Sequence, residues 1–103
     1  MYMVTTTWRH DKPIDKVNMR KILLGLKDRN NSNEVIDVMW FEIDEVTHGS
    51  VLIYSSKEEC DKDMQARNKN REDSGLKILR EEKGETFAVM SDCLLYTSDA
   101  ADE

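Results

Sequence analysis

The sequence predicts an α+β fold in which four antiparallel strands and two helices follow in the order β-α-β-β-α-β. Three observations predict it. The stretch from Val35 to Ser55, VIDVMWFEIDEVTHGSVLIYS, holds two runs rich in β-branched and aromatic residues around a polar, Gly-containing turn. Before it, Met19, Ile22, Leu23 and Leu26 recur at the spacing of one helix face. After it, Ser56-Lys57-Glu58-Glu59 has the form of a capping box that opens a second helix. At 103 residues there is room for a single core.

Taken in order, Met1–Trp8 is the first strand, with Tyr2, Val4, Thr6 and Trp8 on one face and three threonines favouring extended backbone. Arg9–Lys12 is polar and ends at Pro13, which suits the first turn of a helix reaching to about Arg29. Gly25 inside that helix is expected to mark close packing on the sheet. Asn30–Asn33 is a loop. The hairpin strands are read as Val35–Ile43 and Ser50–Ser55, joined by a turn from Asp44 to Gly49. The second helix is very polar, with Cys60, Met64 and Ala66 as its apolar contacts up to Arg71, and Asp73-Ser74-Gly75 breaks it. A short helical piece with Leu76, Ile78 and Leu79 is expected to end at Lys83-Gly84, leaving Glu85–Ser91 as the last strand. This is the ferredoxin-like, split βαβ order, with both helices on one face of the sheet.

The hairpin carries a second inference. Its first strand shows Ile36, Val38 and Trp40 on one face and Met39, Phe41 and Ile43 on the other. A sheet with one wet face alternates apolar with polar, so this one expects cover on both sides. Two helices account for one side. A second copy packed sheet to sheet accounts for the other, and a symmetric homodimer is expected.

The last eleven residues, Cys93–Glu103, resemble the in-frame translation of a transposase adapter used to tag DNA for sequencing, so residues 1–92 are read as the domain and 93–103 as a non-native tail. That tail holds Asp99, Asp102 and Glu103 and no base; without it, the formal charge falls from −6 to −3, too mild to imply a particular partner. Cys60 would then be the single native cysteine, which leaves no internal disulfide, and only His10 and His48 could join it on a metal. The apolar runs are too short to cross a bilayer, and the N-terminus lacks the pattern of a signal peptide. A soluble cytoplasmic protein is expected.

The short strand opening at Met1, the hairpin VIDVMWFEID…GSVLIYSSKEE running into a capped helix, and the closing GETFAVMSD together resemble the dimeric α/β-barrel superfamily. Within it they are most similar to the antibiotic biosynthesis monooxygenase-like family, over residues 1–92. The resemblance implies a small dimer whose paired sheets enclose an apolar cavity, and an oxygenase activity that some members perform with neither metal nor flavin. No cofactor is implied. Other groups on this scaffold are isomerases, haem-degrading enzymes and stress-responsive proteins, so the fold by itself does not choose an activity. Against an RNA-recognition domain stand the acidic charge and a third strand with Tyr54 as its one stacking residue; against a heavy-metal carrier stands the lack of a Cys-x-x-Cys.

His10, in Trp8-Arg9-His10-Asp11 at the end of the first strand, is the candidate general base. The competing reading is a solvated loop, since no nucleophile adjoins it. His48 is read as an exposed turn residue. Trp8, Trp40 and Tyr54, with Phe41 and Tyr2, are candidates to line a substrate pocket between sheet and partner; the competing reading is core and interface. Glu42 shares a face with Trp40 and is the carboxylate to check first. Cys60 is read as a small buried side chain, and Arg67–Arg71 as a solvated helix face. The function expected is a small-molecule-binding dimer acting as a cofactor-independent monooxygenase on a small aromatic or apolar substrate. The alternative is a non-catalytic ligand-binding or dimerisation module. Neither nucleic acid nor membrane is an expected partner.

Overall fold

The computed structural model describes residues 1–29, 35–73 and 75–91; the loop expected at Asn30–Asn33 and the tail from Cys93 lie outside them. The elements are β1 (Tyr2–Arg9), α1 (Lys16–Arg29), β2 (Val35–Asp44), β3 (Thr47–Tyr54), α2 (Lys57–Asp73) and β4 (Lys77–Glu85). The strands form one antiparallel sheet in the order β2-β3-β1-β4, the ferredoxin-like α+β arrangement. No helix among the described residues is long and apolar enough to cross a membrane.

Register assigns the two faces. Across β1 and β3, Tyr2 faces Tyr54, Val4 faces Leu52, Thr6 faces Ser50 and Trp8 faces His48. Residues opposite one another in an antiparallel ladder share a face. That face packs under the helices, where Val4, Leu52, Tyr54, Cys60 and Met64 form the buried core, with Tyr2, Val35 and Val38 against it. Each fully buried aliphatic side chain there contributes roughly 1.5–3 kcal/mol. The aromatics Tyr2, Trp8, Trp40 and Tyr54 therefore lie on the helix side. The expectation that they line a pocket against a partner sheet is corrected by this register.

The helices begin where their caps place them. In α1 the Asp15 carboxylate accepts from the Asn18 N–H at 3.0 Å, so the helix starts at Lys16 and not at Pro13. Its apolar stripe seats lightly: Met19 and Leu23 are half-buried, while Val17 and Ile22 stay exposed. Gly25 is no point of close approach, for a Cβ there would meet no described atom within 4 Å. In α2 the Ser56 hydroxyl accepts from the Glu59 N–H at 3.2 Å, as the capping box predicts.

Two segments differ from the sequence expectation. The hairpin turn is shorter, with only Glu45 and Val46 between the strands. Asp44 closes it by accepting the Val46 N–H at 2.9 Å, and that bond, joined by the Thr47 hydroxyl, holds the Asp44 carboxyl below its usual range. Thr47, His48 and Gly49 consequently belong to β3. The last strand is Lys77–Glu85, not Glu85–Ser91. Leu76–Lys83 is rich in helix formers, but the outer edge of β1 offers eight residues of unpaired backbone, and pairing there overrides local propensity. Gly75, at φ 74°, ends α2 in the left-handed conformation and turns the chain back. Phe87 and Met90, expected within that strand, are almost fully exposed.

The opposite face is bare among the described residues. Met39, Phe41 and Ile43 project there, each about half exposed (46, 54 and 50%). The Phe41 ring lies across Gly49, where any Cβ would overlap it. An Asp15→Ala variant should lose about 1 kcal/mol of stability in urea titration, and Asp15→Asn, which keeps the capping oxygen, should lose much less.

Candidate functional site

The site is built at the end of the sheet where β1 leaves for α1 and the hairpin turns. Two backbone bonds tie these segments together: His10 N–H donates to the Val46 carbonyl at 2.7 Å, and Ile14 N–H to the Glu45 carbonyl at 2.8 Å. They bring His10 over the first residues of β3. There His10 Nε2 and His48 Nδ1 share a hydrogen bond of 2.7 Å.

His48 is the centre of the cluster. It is 4% exposed, which overturns its reading as a turn residue in water. Trp8, its cross-strand partner, stacks on it with centroids 6.3 Å apart and planes 9° from parallel. Trp40 meets it at 5.7 Å and 60°. Burial, aided by the neighbouring His10, lowers the His48 pKa from 6.5 to about 4. This imidazole is held neutral at physiological pH.

Behind Trp8 lies a second layer. The Arg71 guanidinium sits 5.1 Å from the Trp8 ring centroid, and its Nη2 pairs with Glu81 at 2.7 Å. Glu81 also accepts from the Thr6 hydroxyl at 2.8 Å. Burial alone would push the Glu81 carboxyl up; the bonds from Arg71 and Thr6 outweigh it and hold the carboxyl below its usual range. Arg71 is thus tied to the cluster and is not part of a solvated face.

In front of His48 a cleft of about 280 Å³ opens between α1 and β2. Ile14, Met19, Leu23 and Trp40 supply apolar wall, with Phe41 at one side, His48 at the base, and Lys16, Arg20 and Glu42 carrying charge. Among the described side chains of α1, Met19 and Leu23 are the half-buried apolar ones, and both line the cleft. Glu42 pairs with Lys16 at 3.3 Å, and both side chains are largely solvated, so the pair contributes little stability.

Of the residues singled out from sequence, Trp40 and Glu42 line the cleft, and Trp8 and His10 reach it through His48. Tyr54 does not join them. It is fully buried at the other end of β3, roughly 20 Å along the strand. There its hydroxyl donates to Asp63, which also pairs with Arg67; burial and then that bond push the phenol well above its usual range. Cys60 is buried in the core, where burial pushes its thiol up. Among the described residues no group of three or more His, Cys, Asp or Glu could hold a metal ion. Sequence reasoning missed His48. The signal was the alternation His48, Ser50, Leu52, Tyr54, visible once the turn is shortened to two residues.

The chain matches no protein-family model and no curated protein sequence.

Because His48 is more basic unfolded than folded, the folded state gains its contribution above about pH 6.5 and loses it as pH falls toward 4. The unfolding free energy should drop across that window by on the order of 3 kcal/mol more in the parent protein than in His48→Gln, measured by urea titration at successive pH values.

Proposed function

We propose that this chain is a small-molecule-binding protein on the dimeric α/β-barrel plan, similar to the antibiotic biosynthesis monooxygenase-like family, with the cleft between α1 and the sheet as its ligand site. The observation that carries this reading is a buried neutral imidazole at the base of a mostly apolar cleft. A neutral imidazole accepts a proton, and apolar walls exclude the water that would otherwise quench a reactive anion. Those are the requirements of a cofactor-independent monooxygenase acting on a small aromatic or apolar substrate. The base removes a proton, and the substrate carbanion is then itself the reductant of dioxygen. In this reading the proton acceptor in the cleft is His48, with His10 behind it and Trp40 as the aromatic wall.

A second reading, a non-catalytic ligand-binding or dimerisation module, draws support from the bare sheet face. Met39, Phe41 and Ile43 form an exposed apolar patch of a kind that marks interaction surfaces. The two readings share a homodimer formed through that face and differ only in chemistry.

Met19→Trp, which fills the cleft from the α1 side, should weaken binding of small aromatic compounds by about tenfold or more in calorimetry while leaving the circular dichroism unchanged. Oxygen uptake with a bound carbon acid, lost in His48→Gln, would distinguish an oxygenase from a passive binder; uptake unchanged in that variant removes the enzymatic reading. The full chain should elute from gel filtration as a dimer, and Phe41→Lys should convert it to a monomer.

A further inference from the structure

We infer that His48 and His10 form a two-imidazole proton relay, in which a weakly acidic, planar apolar ligand in the cleft gives its proton to His48 while the positive charge is delivered to His10. This deepens the reading of the cleft as a ligand site and rests on it.

Four observations place the parts. His48 lines the cleft and His10 does not, so a ligand reaches only the first imidazole. His48 Nδ1 is taken up by His10 Nε2 at 2.7 Å. The other ring nitrogen of His48, Nε2, makes no hydrogen bond to the described residues, and the residue it belongs to lines the cleft. Finally, His48 is closed in by Trp8 and Trp40, whereas His10 is only half-buried and is followed by the exposed Asp11 and Lys12. A cation is poorly housed at the first ring and better housed at the second.

The step balances as follows. His48 begins as the Nδ1–H tautomer, donating to His10 Nε2. The acidic O–H or C–H bond of the ligand breaks, its electron pair stays on the ligand as an anion, and the proton goes to His48 Nε2. The Nδ1 proton of His48 passes to His10 Nε2. His48 ends neutral with its tautomer exchanged, His10 ends as imidazolium, and the new Nε2–H faces the anion it has created.

A His48 whose own protonation needs pH near 4 would be a weak base if it had to keep the charge, and the relay removes that requirement. The charged groups around the pair agree with the direction of transfer. Arg71, beyond Trp8, is matched by Glu81 and adds no net charge behind His48. On the ligand side, Glu42 is matched by Lys16, while Arg20 has no ion-pair partner among the described residues and faces the cleft where the anion forms. The ligand class is therefore an aromatic or similarly planar molecule with one ionisable proton, such as a phenol or an enolisable carbonyl compound.

The experiment uses 4-nitrophenol with the full chain, buffered below the ionisation midpoint of the free phenol. Binding should raise phenolate absorbance, and histidine nitrogen NMR should show His10 doubly protonated while His48 stays neutral and exchanges its tautomer. His10→Gln, which retains a hydrogen-bonding side chain but takes no charge, should still bind the neutral phenol and lose the phenolate signal by about tenfold. Equal phenolate formation in His10→Gln, or an imidazolium on His48, overturns the relay and leaves the cleft standing as a binding site. No heat of binding for either the phenol or its phenolate overturns the cleft reading and the relay together. The nitrogen spectra of the parent protein decide the question even if the variant fails to fold.

Discussion

The register between β1 and β3 is the constraint on which the rest of this protein depends. It sets Trp8 against His48 and, six residues away on each strand, Tyr2 against Tyr54. A slip of one residue would turn Val4, Leu52 and Tyr54 to the bare face and take His48 out of its aromatic enclosure. The register is protected because β1 is paired along both edges, by β3 and by β4, and because the turn carbonyls of Glu45 and Val46 accept from Ile14 and His10. The second pair of bonds does double duty: it anchors the hairpin and sets one imidazole beside the other.

The helix-facing side of the sheet is divided between two kinds of packing. One end is an aliphatic core under α2, closed by Cys60 and Met64 from an otherwise polar helix. The other end holds buried polar side chains, Thr6, His48 and Ser50, among aromatic rings. Burying such groups costs free energy unless they are hydrogen-bonded. Thr6 answers to Glu81, and His48 to His10. The Arg71–Glu81 pair closes the same end from the side of α2 and β4, where its ions bond Thr6 and cover Trp8. Because α1 covers this end only loosely, the polar cluster faces a cleft and not more core. The aliphatic core lies at one end of the sheet and the polar cluster with its cleft at the other.

Much of the fold was legible along the chain. Apolar periodicity marked β1, β2 and α1, and Ser56 marked the start of α2 through a local hydrogen bond that four consecutive residues specify. His10 and Trp8 were also visible as a concentration of reactive groups at the end of the first strand, and Trp40 as an aromatic on a face of the second. Each of these signals is short in range. They arise from backbone preference, side-chain alternation or a bond within one turn, and so survive being read without the rest of the molecule.

The remainder needed contacts between distant segments. Leu76–Lys83 prefers a helix by composition, yet it is a strand because β1 has an edge to satisfy and Thr6 and Arg71 hold Glu81 in place. His48 looked like a turn residue because Asp44 shortens the hairpin in a way that composition does not announce. Its burial and depressed basicity follow from Trp8 across the strand pair and Trp40 on the other side, and its bond to His10 from the turn carbonyls that hold that segment. The sequence by itself determined the β-α-β-β-α-β order and the approximate place of every element but the last strand, since those are local preferences. Only the tertiary structure decided which strand edge is filled and which imidazole is enclosed, because backbone pairing and desolvation are properties of segments brought together from across the chain.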